Sequence, residues 1–385
     1  MPLTDRDVRA VLAGYPREPT VAVVGSHSAL DVADGAAGEG FRTLVLAQAG
    51  REATYARYFR TVRGPDGARR RGCVDDVWTF PAFADIAAPA AQERLRAAGA
   101  LLVPNRALSS YLPLATIEDD LRVPIVGSRA LLRIEERTER ENYYTLLEKA
   151  GIATPRKVPG PESIERLSIV KLPHATRRLE RGFFTVASTG EYREKTARLI
   201  AEATISPADL AAARIEEYVL GPVFNFNFFF SPLVPRPEGL ELLGVDERRE
   251  SDLDGLVRLP AAQQLEMGGA ARTPRYTVVG HGTLTVRESI LEEVFRLGER
   301  FVDASRDFAP PGILGPFCLQ TCLDHDGRPV VFDVAARIGG GTNVHLALGH
   351  PYGNALWRTP MSTGRRIAVE IRRAIADDRL GEIVT

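Results

Sequence analysis

The residues of this chain best suited to chemistry lie between 331 and 343, where a short apolar run carries Asp333 and then turns through three glycines into Thr342 and Asn343. Because side chains alternate between the two faces of a strand, Asp333 can face a cleft while its neighbours pack behind it. The glycines let the backbone approach a ligand closely and turn amide donors toward an anion. The pattern predicts a metal and phosphate site at a strand end, although strand, aspartate, turn and glycine in this order are also typical of an ordinary hairpin.

Gln320 lies on an earlier apolar run and supplies a possible partner for Asp333. The turn-forming sequence Asp-His-Asp-Gly at 324–327 separates the two runs, which predicts a hairpin that brings Gln320 beside Asp333. Mg2+ is a hard, octahedral ion that commonly takes one or two protein oxygens together with nucleotide phosphates and water. We therefore predict that Gln320 and Asp333 hold Mg2+, with Mn2+ as an alternative ion.

The order of the motifs along the chain is also informative. Lys171 lies in the sequence Ser-Ile-Val-Lys-Leu-Pro, and Ile-Glu-Glu-Tyr-Val follows at 215–219. A strand lysine, an acidic strand end and two metal-binding strands follow one another in this order in ATP-grasp domains. Over nearly its full length the chain resembles one such family, the archaeal formate-dependent (PurP-type) synthetases of 5-formaminoimidazole-4-carboxamide ribonucleotide, or FAICAR. The segments that carry the resemblance lie at 25–28 (Gly-Ser-His-Ser), 241–246, 250–260, 286–289, 311–320 and 340–343.

The resemblance implies a purine-synthesis ligase that joins formate to the amine of 5-aminoimidazole-4-carboxamide ribonucleotide, or AICAR. Formate does not acylate an amine in water because its oxygen is a poor leaving group, so ATP would first convert it to formyl phosphate. Positioning of the reactants, and cations that gather the phosphate charge, would supply most of the catalysis.

The same resemblance implies roles for individual residues. The nucleotide contacts are Lys171, Glu216, Glu217, Tyr218 and Val219, and the metal ligands are Gln320 and Asp333. The residues at the transferring phosphate or the substrate are Arg287, Arg337, Thr342 and Asn343, with both arginines in catalysis. Arg258 is either a clamp for the substrate phosphate or a surface ion-pair partner.

The N-terminal part of the chain alternates between short apolar runs at 20–24, 43–46 and 101–103 and Ala-rich helical segments such as 88–98. This alternation predicts an α/β fold with a doubly wound parallel sheet, in which ligands gather beyond the carboxyl ends of the strands. Ser26 and His27 follow one such end, where Ser26 or Ser28 can cap the next helix and the helix N-terminus attracts a phosphate. The resemblance implies that Ser26 and His27 contact the nucleotide substrate.

We predict an N-terminal pre-ATP-grasp domain over residues 1–122 and a two-part ATP-grasp domain over 123–385, with a lid at about 150–220. A charged helix is expected at 129–150. The aromatic run at 224–230 is typical of a core strand, on which Asn227 is a candidate for a polar contact with substrate or nucleotide.

Two departures from the family pattern concern the metal and the phosphates. Relatives usually carry glutamate in place of Asp333 and a polar residue in place of Ala335, so a weaker or rearranged metal site is expected. The glycine-rich phosphate loop is replaced at 173–182, where three arginines either clamp phosphates or form a solvated charge run; these are Arg177, Arg178 and Arg181.

Two further departures concern the nucleotide lysine and the substrate. Thr145 stands where ATP-grasp proteins place a first nucleotide lysine, and Lys149, one helical turn away, is a candidate substitute. Pro-Asn-Arg-Ala at 104–107 replaces the Pro-His-Gly-Ser of relatives, which makes Asn105 and Arg106 candidate substrate contacts. This replacement favours an analogue of AICAR, such as a pyrazole C-nucleotide in nucleoside-antibiotic synthesis.

Two other functions are compatible with these residues. One is a carboxylate–amine ligase that activates a different acid on the same scaffold. The other is a nucleotide-binding or scaffolding protein without turnover, which Asp333, Thr145 and the missing glycines suggest. The retained residues Gln320, Arg337 and Thr342 argue against the loss of turnover.

Composition agrees with a cytoplasmic enzyme that uses small molecules. The 385 residues carry a formal net charge of −1, so no basic footprint for nucleic acid is expected. The chain has neither a signal-peptide pattern nor an apolar stretch approaching about 18 residues, so no membrane partner is expected. The three cysteines form no plausible zinc set, and Cys318 and Cys322 are expected to pack in the core. Relatives suggest a homo-oligomer, a trimer or hexamer.

Overall fold

The structure is a computed structural model that describes residues 3–173, 182–267 and 276–385. Its strands are β1 (Thr20–Val24), β2 (Arg42–Gln48), β3 (Val62–Arg63), β4 (Arg69–Arg71), β5 (Asp76–Phe80), β6 (Ala100–Val103), β7 (Lys157–Val158), β8 (Ser168–Lys171), β9 (Phe183–Val186), β10 (Arg214–Glu217), β11 (Val223–Phe230), β12 (Leu240–Glu250), β13 (Val278–Thr283), β14 (Gly315–Leu323) and β15 (Pro329–Ala335). Its α-helices are α1 (Asp5–Leu12), α2 (Ala29–Gly38), α3 (Pro89–Ala97), α4 (Arg106–Tyr111), α5 (Tyr143–Lys149), α6 (Thr189–Ala201), α7 (Pro207–Ala211), α8 (Leu253–Leu256), α9 (Ala261–Glu266), α10 (Glu288–Phe308), α11 (Pro351–Trp357) and α12 (Thr363–Ala376).

The first sheet is parallel, with the strand order β5-β2-β1-β6. β1 is buried along its whole length, as expected when helices cover both faces of a sheet. Because the chain places β2 on one side of β1 and β6 on the other, the ends of β1 and β6 form the switch point where ligands bind in such folds. The strands expected at 20–24, 43–46 and 101–103 and the helix expected at 88–98 are present as β1, β2, β6 and α3.

The last helix of the chain returns to the first sheet. α12 lies so close to α2 that a Cβ atom on Gly364 would be 2.0 Å from the carbonyl oxygen of Asp31. Ile367 and Ile371 on α12 share one hydrophobic core with Val23 of β1. The division of the chain at residue 122 stays a prediction, and the core of the first sheet includes the C-terminal helix.

The second large sheet is antiparallel, with the order β13-β12-β11-β14-β15. Its apolar face packs on α10, where the rings of Phe228 and Phe301 each stack 5.1 Å from the ring of Phe317. The hairpin predicted from the turn at 324–327 is confirmed, since β14 pairs with β15 and Gln320 is opposite Asp333. A smaller antiparallel sheet, β7-β10-β8-β9, lies in the region predicted as the lid.

Two local predictions are wrong. The helix expected at 129–150 is interrupted, because a 3-10 turn covers Ala130–Glu135 and α5 begins only at Tyr143. Asn142 accounts for the break, since its side-chain oxygen accepts the amide of Tyr144 at 3.0 Å and caps a new helix. Ser28 does not cap α2 with its side chain, because its hydroxyl donates to the carbonyl of Gly339 instead.

The arginine-rich segment that replaces the phosphate loop, with Arg177, Arg178 and Arg181, lies outside the described residues. The three cysteines are free and buried, as expected of packing residues. Within the described ranges, no helix has the length and apolar character needed to cross a membrane.

Candidate active site

One face of the five-stranded sheet carries a row of polar side chains that crosses four strands. Asp246 on β12 is paired with Asn225 on β11. Asn225 is paired in turn with Gln320 on β14, and Gln320 with Asp333 on β15. Residues that face each other on antiparallel strands point to the same side of the sheet, with their Cβ atoms about 4.5–5.5 Å apart. The register therefore aligns four oxygen-bearing side chains over an apolar core.

Gln320 and Asp333 fit the predicted metal site in their chemistry. Both offer oxygen atoms on neighbouring strands, and Asp333 is only partly buried, so that an ion can reach it. The Oε1 atom of Gln320 accepts a hydrogen bond from the guanidinium of Arg248 on β12. The positively charged guanidinium of Arg248 opposes a metal ion at this oxygen.

Lys171, at the end of β8, is a buried cation with fixed partners. Its Nζ lies 2.7 Å from Glu216 Oε2, and it donates to the hydroxyl of Tyr144 at 2.8 Å and to the carbonyl of Phe332 at 3.1 Å. Burial lowers the pKa of Lys171, while the Glu216 carboxylate opposes that change. Glu216 is fully buried and also pairs with Arg214. Lys171 therefore lies where the small sheet β7-β10-β8-β9, called the lid sheet below, contacts β15.

A cavity of about 860 Å³ lies between the lid sheet and the polar face of the five-stranded sheet. The predicted site residues in its wall are Arg106, Lys171, Glu216, Glu217, Tyr218, Val219, Gln320, Asp333 and Arg337. Apolar side chains line another part of the wall, namely Ile169, Phe183, Tyr276 and Val334. The cavity thus combines an apolar region with fixed cations and oxygen ligands, which are the features that a metal-bound nucleotide requires.

Glu135 accepts hydrogen bonds from three other residues at the wall of this cavity. Its Oε2 atom accepts hydrogen bonds from Arg106 at 3.2 Å and from Arg337 at 3.1 Å, and its Oε1 atom accepts the amide of Ala336 at 3.0 Å. The side chains of Glu135 and Arg337 are buried, whereas the Arg106 side chain is 41% exposed. Glu135 therefore joins the switch point of the first sheet to the glycine turn after β15.

His27 and the glycine turn face each other at the switch point. A Cβ atom on Gly340 would lie 3.9 Å from the His27 ring. Although His27 is exposed to solvent in part, desolvation by the surrounding protein lowers its pKa, and the charges of Arg337 and Arg106 lower it further. Both arginines line the cavity, and His27 is not among the residues described in its wall. Ser26, beside His27, accepts the amide of Ala29 with its carbonyl oxygen at 3.2 Å.

Two predicted substrate residues have structural partners at this point. The side-chain amide of Asn105 donates to the carbonyls of Val24 and His27, at 2.8 and 3.1 Å, and thereby joins the ends of β6 and β1. Asn343 accepts the amide of Asp31 at 3.1 Å, and its neighbour Thr342 is fully buried. The Asn343 contact anchors the glycine turn to α2.

Asn227 and His281 converge on the buried carboxylate of Asp246. Asn225 and Asn227 each donate to Asp246 at 2.7 Å, and the Nδ1 atom of His281 lies 2.8 Å from Asp246 Oδ2. A Cβ atom on Gly341 would lie 2.1 Å from the same oxygen, so the turn closes over Asp246 only because residue 341 is glycine. Asn227 thus helps to fix the Asp246 carboxylate beneath the glycine turn.

Three predicted residues lie away from the cavity. Lys149 is exposed, with its Nζ 4.7 Å from the centre of the Phe308 ring and 3.9 Å from Glu141. Arg258 is exposed after α8, and Arg287 is exposed at the start of α10. None of the three lines the cavity wall among the described residues. Their predicted roles gain no support from this geometry.

Sequence reasoning missed several residues of the site. Arg137, Glu135 and Arg248 line the cavity but belong to no motif that the spacing alone brings out. For Asp246 a signal was present, because an acidic residue interrupts the apolar part of β12 and is followed by Glu247. A carboxylate in a buried stretch requires donors, and Asn225 and Asn227 on the next strand supply them.

Comparison with known proteins identifies the relatives of this chain. Residues 21–158 match a family described as a protein of unknown function (DUF1246), and residues 191–385 match one described as a domain of unknown function (DUF1297). The chain is 39% identical to the 5-formaminoimidazole-4-carboxamide-1-(beta)-D-ribofuranosyl 5'-monophosphate synthetase of Methanothermobacter thermautotrophicus, over 98% of each chain. The chain belongs to the FAICAR synthetase family. A synthetase of the same name from Methanocaldococcus jannaschii is 38% identical, over 96% of this chain and 95% of the other.

Solved structures agree with this assignment. The IMP biosynthesis protein PurP from Thermococcus kodakaraensis is 30% identical, with a TM-score of 0.69 over 95% of this chain and 100% of that one. The ADP complex of an N5-carboxyaminoimidazole ribonucleotide synthetase, purK, shares the fold at 14% identity, with a TM-score of 0.55 over 90% of this chain and 79% of that one. The resemblance to the FAICAR synthetase family and the α/β ATP-grasp fold are confirmed.

Proposed function

We propose that this FAICAR synthetase family member is an ATP-dependent carbon–nitrogen ligase that formylates the 5-amino group of AICAR with formate and releases ADP and phosphate. The observation that carries the proposal is the cavity whose wall holds Lys171, Gln320, Asp333 and, near the switch point, Arg106. Relatives at 38–39% identity over nearly the whole chain carry the corresponding synthetase name. Nothing in those comparisons supports the alternatives of a pyrazole analogue as substrate, another acid, or a protein without turnover.

The nucleotide is proposed to lie in the apolar part of the cavity, with its phosphates near the cations. Glu216, Glu217, Tyr218 and Val219 form the end of β10 and the turn after it, where they would contact adenine and ribose. Lys171 would contact a phosphate, since Glu216, Tyr144 and the carbonyl of Phe332 hold it in the cavity wall. Gln320 and Asp333 would hold Mg2+ or Mn2+, which neutralises phosphate charge when bound.

The aminoimidazole ribonucleotide is proposed to bind at the switch point. Ser26 and His27 lie beyond the end of β1, where ligands of doubly wound sheets collect. Four other predicted residues act there mainly by holding β1, the five-stranded sheet and the glycine turn together. These are Asn105, Asn227, Thr342 and Asn343. Arg337 lies between the two ligands and would stabilise the phosphoryl group during transfer.

The chemistry has two steps. An oxygen of formate attacks the γ-phosphorus of ATP, an oxygen–phosphorus bond forms, and the bond to the β,γ-bridging oxygen breaks to release ADP. The amine nitrogen of AICAR then attacks the formyl carbon, and phosphate leaves with the electron pair of the carbon–oxygen bond. The nitrogen loses a proton to solvent. The protein contributes position and positive charge to both steps.

The test is to incubate the protein with ATP, Mg2+, formate and AICAR and to follow ADP by a coupled assay and the formyl mass increment by mass spectrometry. We expect ADP and formylated AICAR in equal amounts, and neither product when formate is omitted. A pyrazole C-nucleotide should be a poorer substrate than AICAR. ADP release that does not depend on formate would contradict the proposal. The proposed trimer or hexamer can be measured by light scattering on the same preparation.

A further inference from the structure

Glu135 holds two arginines from distant parts of the chain against one carboxylate oxygen. Arg106 begins α4 after the first sheet, and Arg337 belongs to the turn after β15. Both guanidinium groups lie within hydrogen-bond distance of Glu135 Oε2, at 3.2 and 3.1 Å. They are therefore close enough to each other for one small anion in the cavity to contact both. Glu135 itself shows that a planar carboxylate fits this pair of guanidinium groups.

The arginine pair lies between the proposed nucleotide site and the proposed site of the amine substrate. Although burial works against the charge of Arg106, the carboxylates of Glu135, Glu136 and Asp333 raise its pKa, so Arg106 is near the predicted metal ligand Asp333. On the other side, both arginines act on His27, whose pKa their charges help to lower. A ligand bound to the pair would therefore lie between the phosphates and the amine.

Arg137 also lines the cavity, so three guanidinium groups lie among the carboxylates of Glu135, Glu136 and Asp333 in this wall.

We infer that the Arg106–Arg337 pair is the subsite of the carboxylate substrate and holds formate between the nucleotide and the amine. This inference rests on the proposed function and assigns one substrate to one place in the site. Glu135 is a positioning residue, because it sets the spacing of the two arginines.

The test compares Arg106→Gln, Arg106→Lys and Glu135→Gln with the unmodified protein. Arg106→Gln removes a charged donor, so the KM for formate should rise about 10- to 100-fold, whereas the KM for AICAR and the Kd for ATP should change less than about threefold. Arg106→Lys keeps the charge without the planar fork and should recover part of the loss. Glu135→Gln should raise the KM for formate as well. Arg133→Gln is the matched control, since Arg133 lies in the same 3-10 turn and pairs with Glu118 at 2.6 Å.

Binding without turnover separates this inference from the proposed function. Formate, and nitrate as a second planar anion, should raise the melting temperature of the ADP-bound protein, and Arg106→Gln should abolish the rise while Arg133→Gln keeps it. If the unmodified protein formed no formylated AICAR, but Arg106→Gln still abolished the anion-dependent rise in melting temperature, the proposed function would fail and the subsite would stand. An unchanged KM for formate in Arg106→Gln, or a rise in the KM for AICAR alone, would overturn the subsite.

Discussion

Lys171 is the buried cation on which nucleotide binding should depend most. Lys171→Ala removes a charge-assisted hydrogen bond to phosphate, so ATP binding is expected to weaken by about 1–3 kcal/mol, measured by calorimetry. The variant also leaves Glu216 with only Arg214 as its charged partner among the residues described, so its melting temperature should be recorded. Lys149→Ala is the control, because the Lys149 side chain is 53% exposed and lies outside the cavity. Unchanged ATP affinity in Lys171→Ala would remove this lysine from the nucleotide site.

Asp333 is expected to supply the charged metal ligand. Asp333→Asn keeps the shape of the side chain but removes its charge, so both Mn2+ affinity and ADP release should fall by at least about tenfold. Mn2+ binding can be followed by electron paramagnetic resonance on the protein with ADP. Asp326→Asn, in the exposed turn between β14 and β15, should behave like the unmodified protein. Normal Mn2+ binding by Asp333→Asn would place the metal elsewhere.

At the scale of elements, the close approach of α2 and α12 makes a clear prediction. Gly364→Ala would place a methyl group 2.0 Å from the carbonyl oxygen of Asp31, so the helices must separate and the free energy of unfolding should fall by about 1–3 kcal/mol. Gly38→Ala, at the end of α2, is the control, since no described atom outside its helix lies within 4 Å. It should be neutral or stabilising by up to about 1 kcal/mol. Urea denaturation of both variants measures the difference, and equal effects would contradict the close packing.

The elements show what the sequence could reveal and what it could not. The pairing of Gln320 with Asp333 was predictable because a short turn joins their strands and fixes the register. The bonds of Glu135 to Arg106 and Arg337 were not, since residues far apart in sequence meet there only after the sheets have packed. The long helix expected from charge and periodicity was wrong because Asn142 stops it with a local cap. Local sequence patterns thus predicted the strands and the hairpin. The contacts of Glu135 in the cavity wall depend on tertiary packing and could not be predicted in this way.

At the scale of the whole molecule, stability should depend on pH through Asp31. Burial raises the pKa of Asp31 from 3.8 to about 6, although the amide of Gly364 donates to its carboxylate at 3.0 Å. The folded protein therefore binds this proton more tightly than the unfolded chain does. The contribution of Asp31 to the free energy of unfolding is greatest below pH 4 and falls by up to about 3 kcal/mol as the pH rises to 6.

Asp31→Asn removes this titration while the amide oxygen can still accept from Gly364. The difference in unfolding free energy between this variant and the unmodified protein should therefore change between pH 4 and 6 and stay constant above that range. Denaturant titrations at a series of pH values measure it. A difference that is independent of pH would show that Asp31 has an ordinary proton affinity.

The packing of α12 on α2 has a consequence for synthesis of the chain. A ribosome completes α2 at Gly38 but reaches the start of α12 only at Thr363. At 5–20 residues per second, the covering helix follows roughly tens of seconds later. During that time the nascent chain exposes the surface of α2 around Asp31 and Gly35, which α12 covers in the finished fold. The first sheet thus becomes a finished domain late in translation, and until then its apolar surface is available to chaperones and to neighbouring nascent chains.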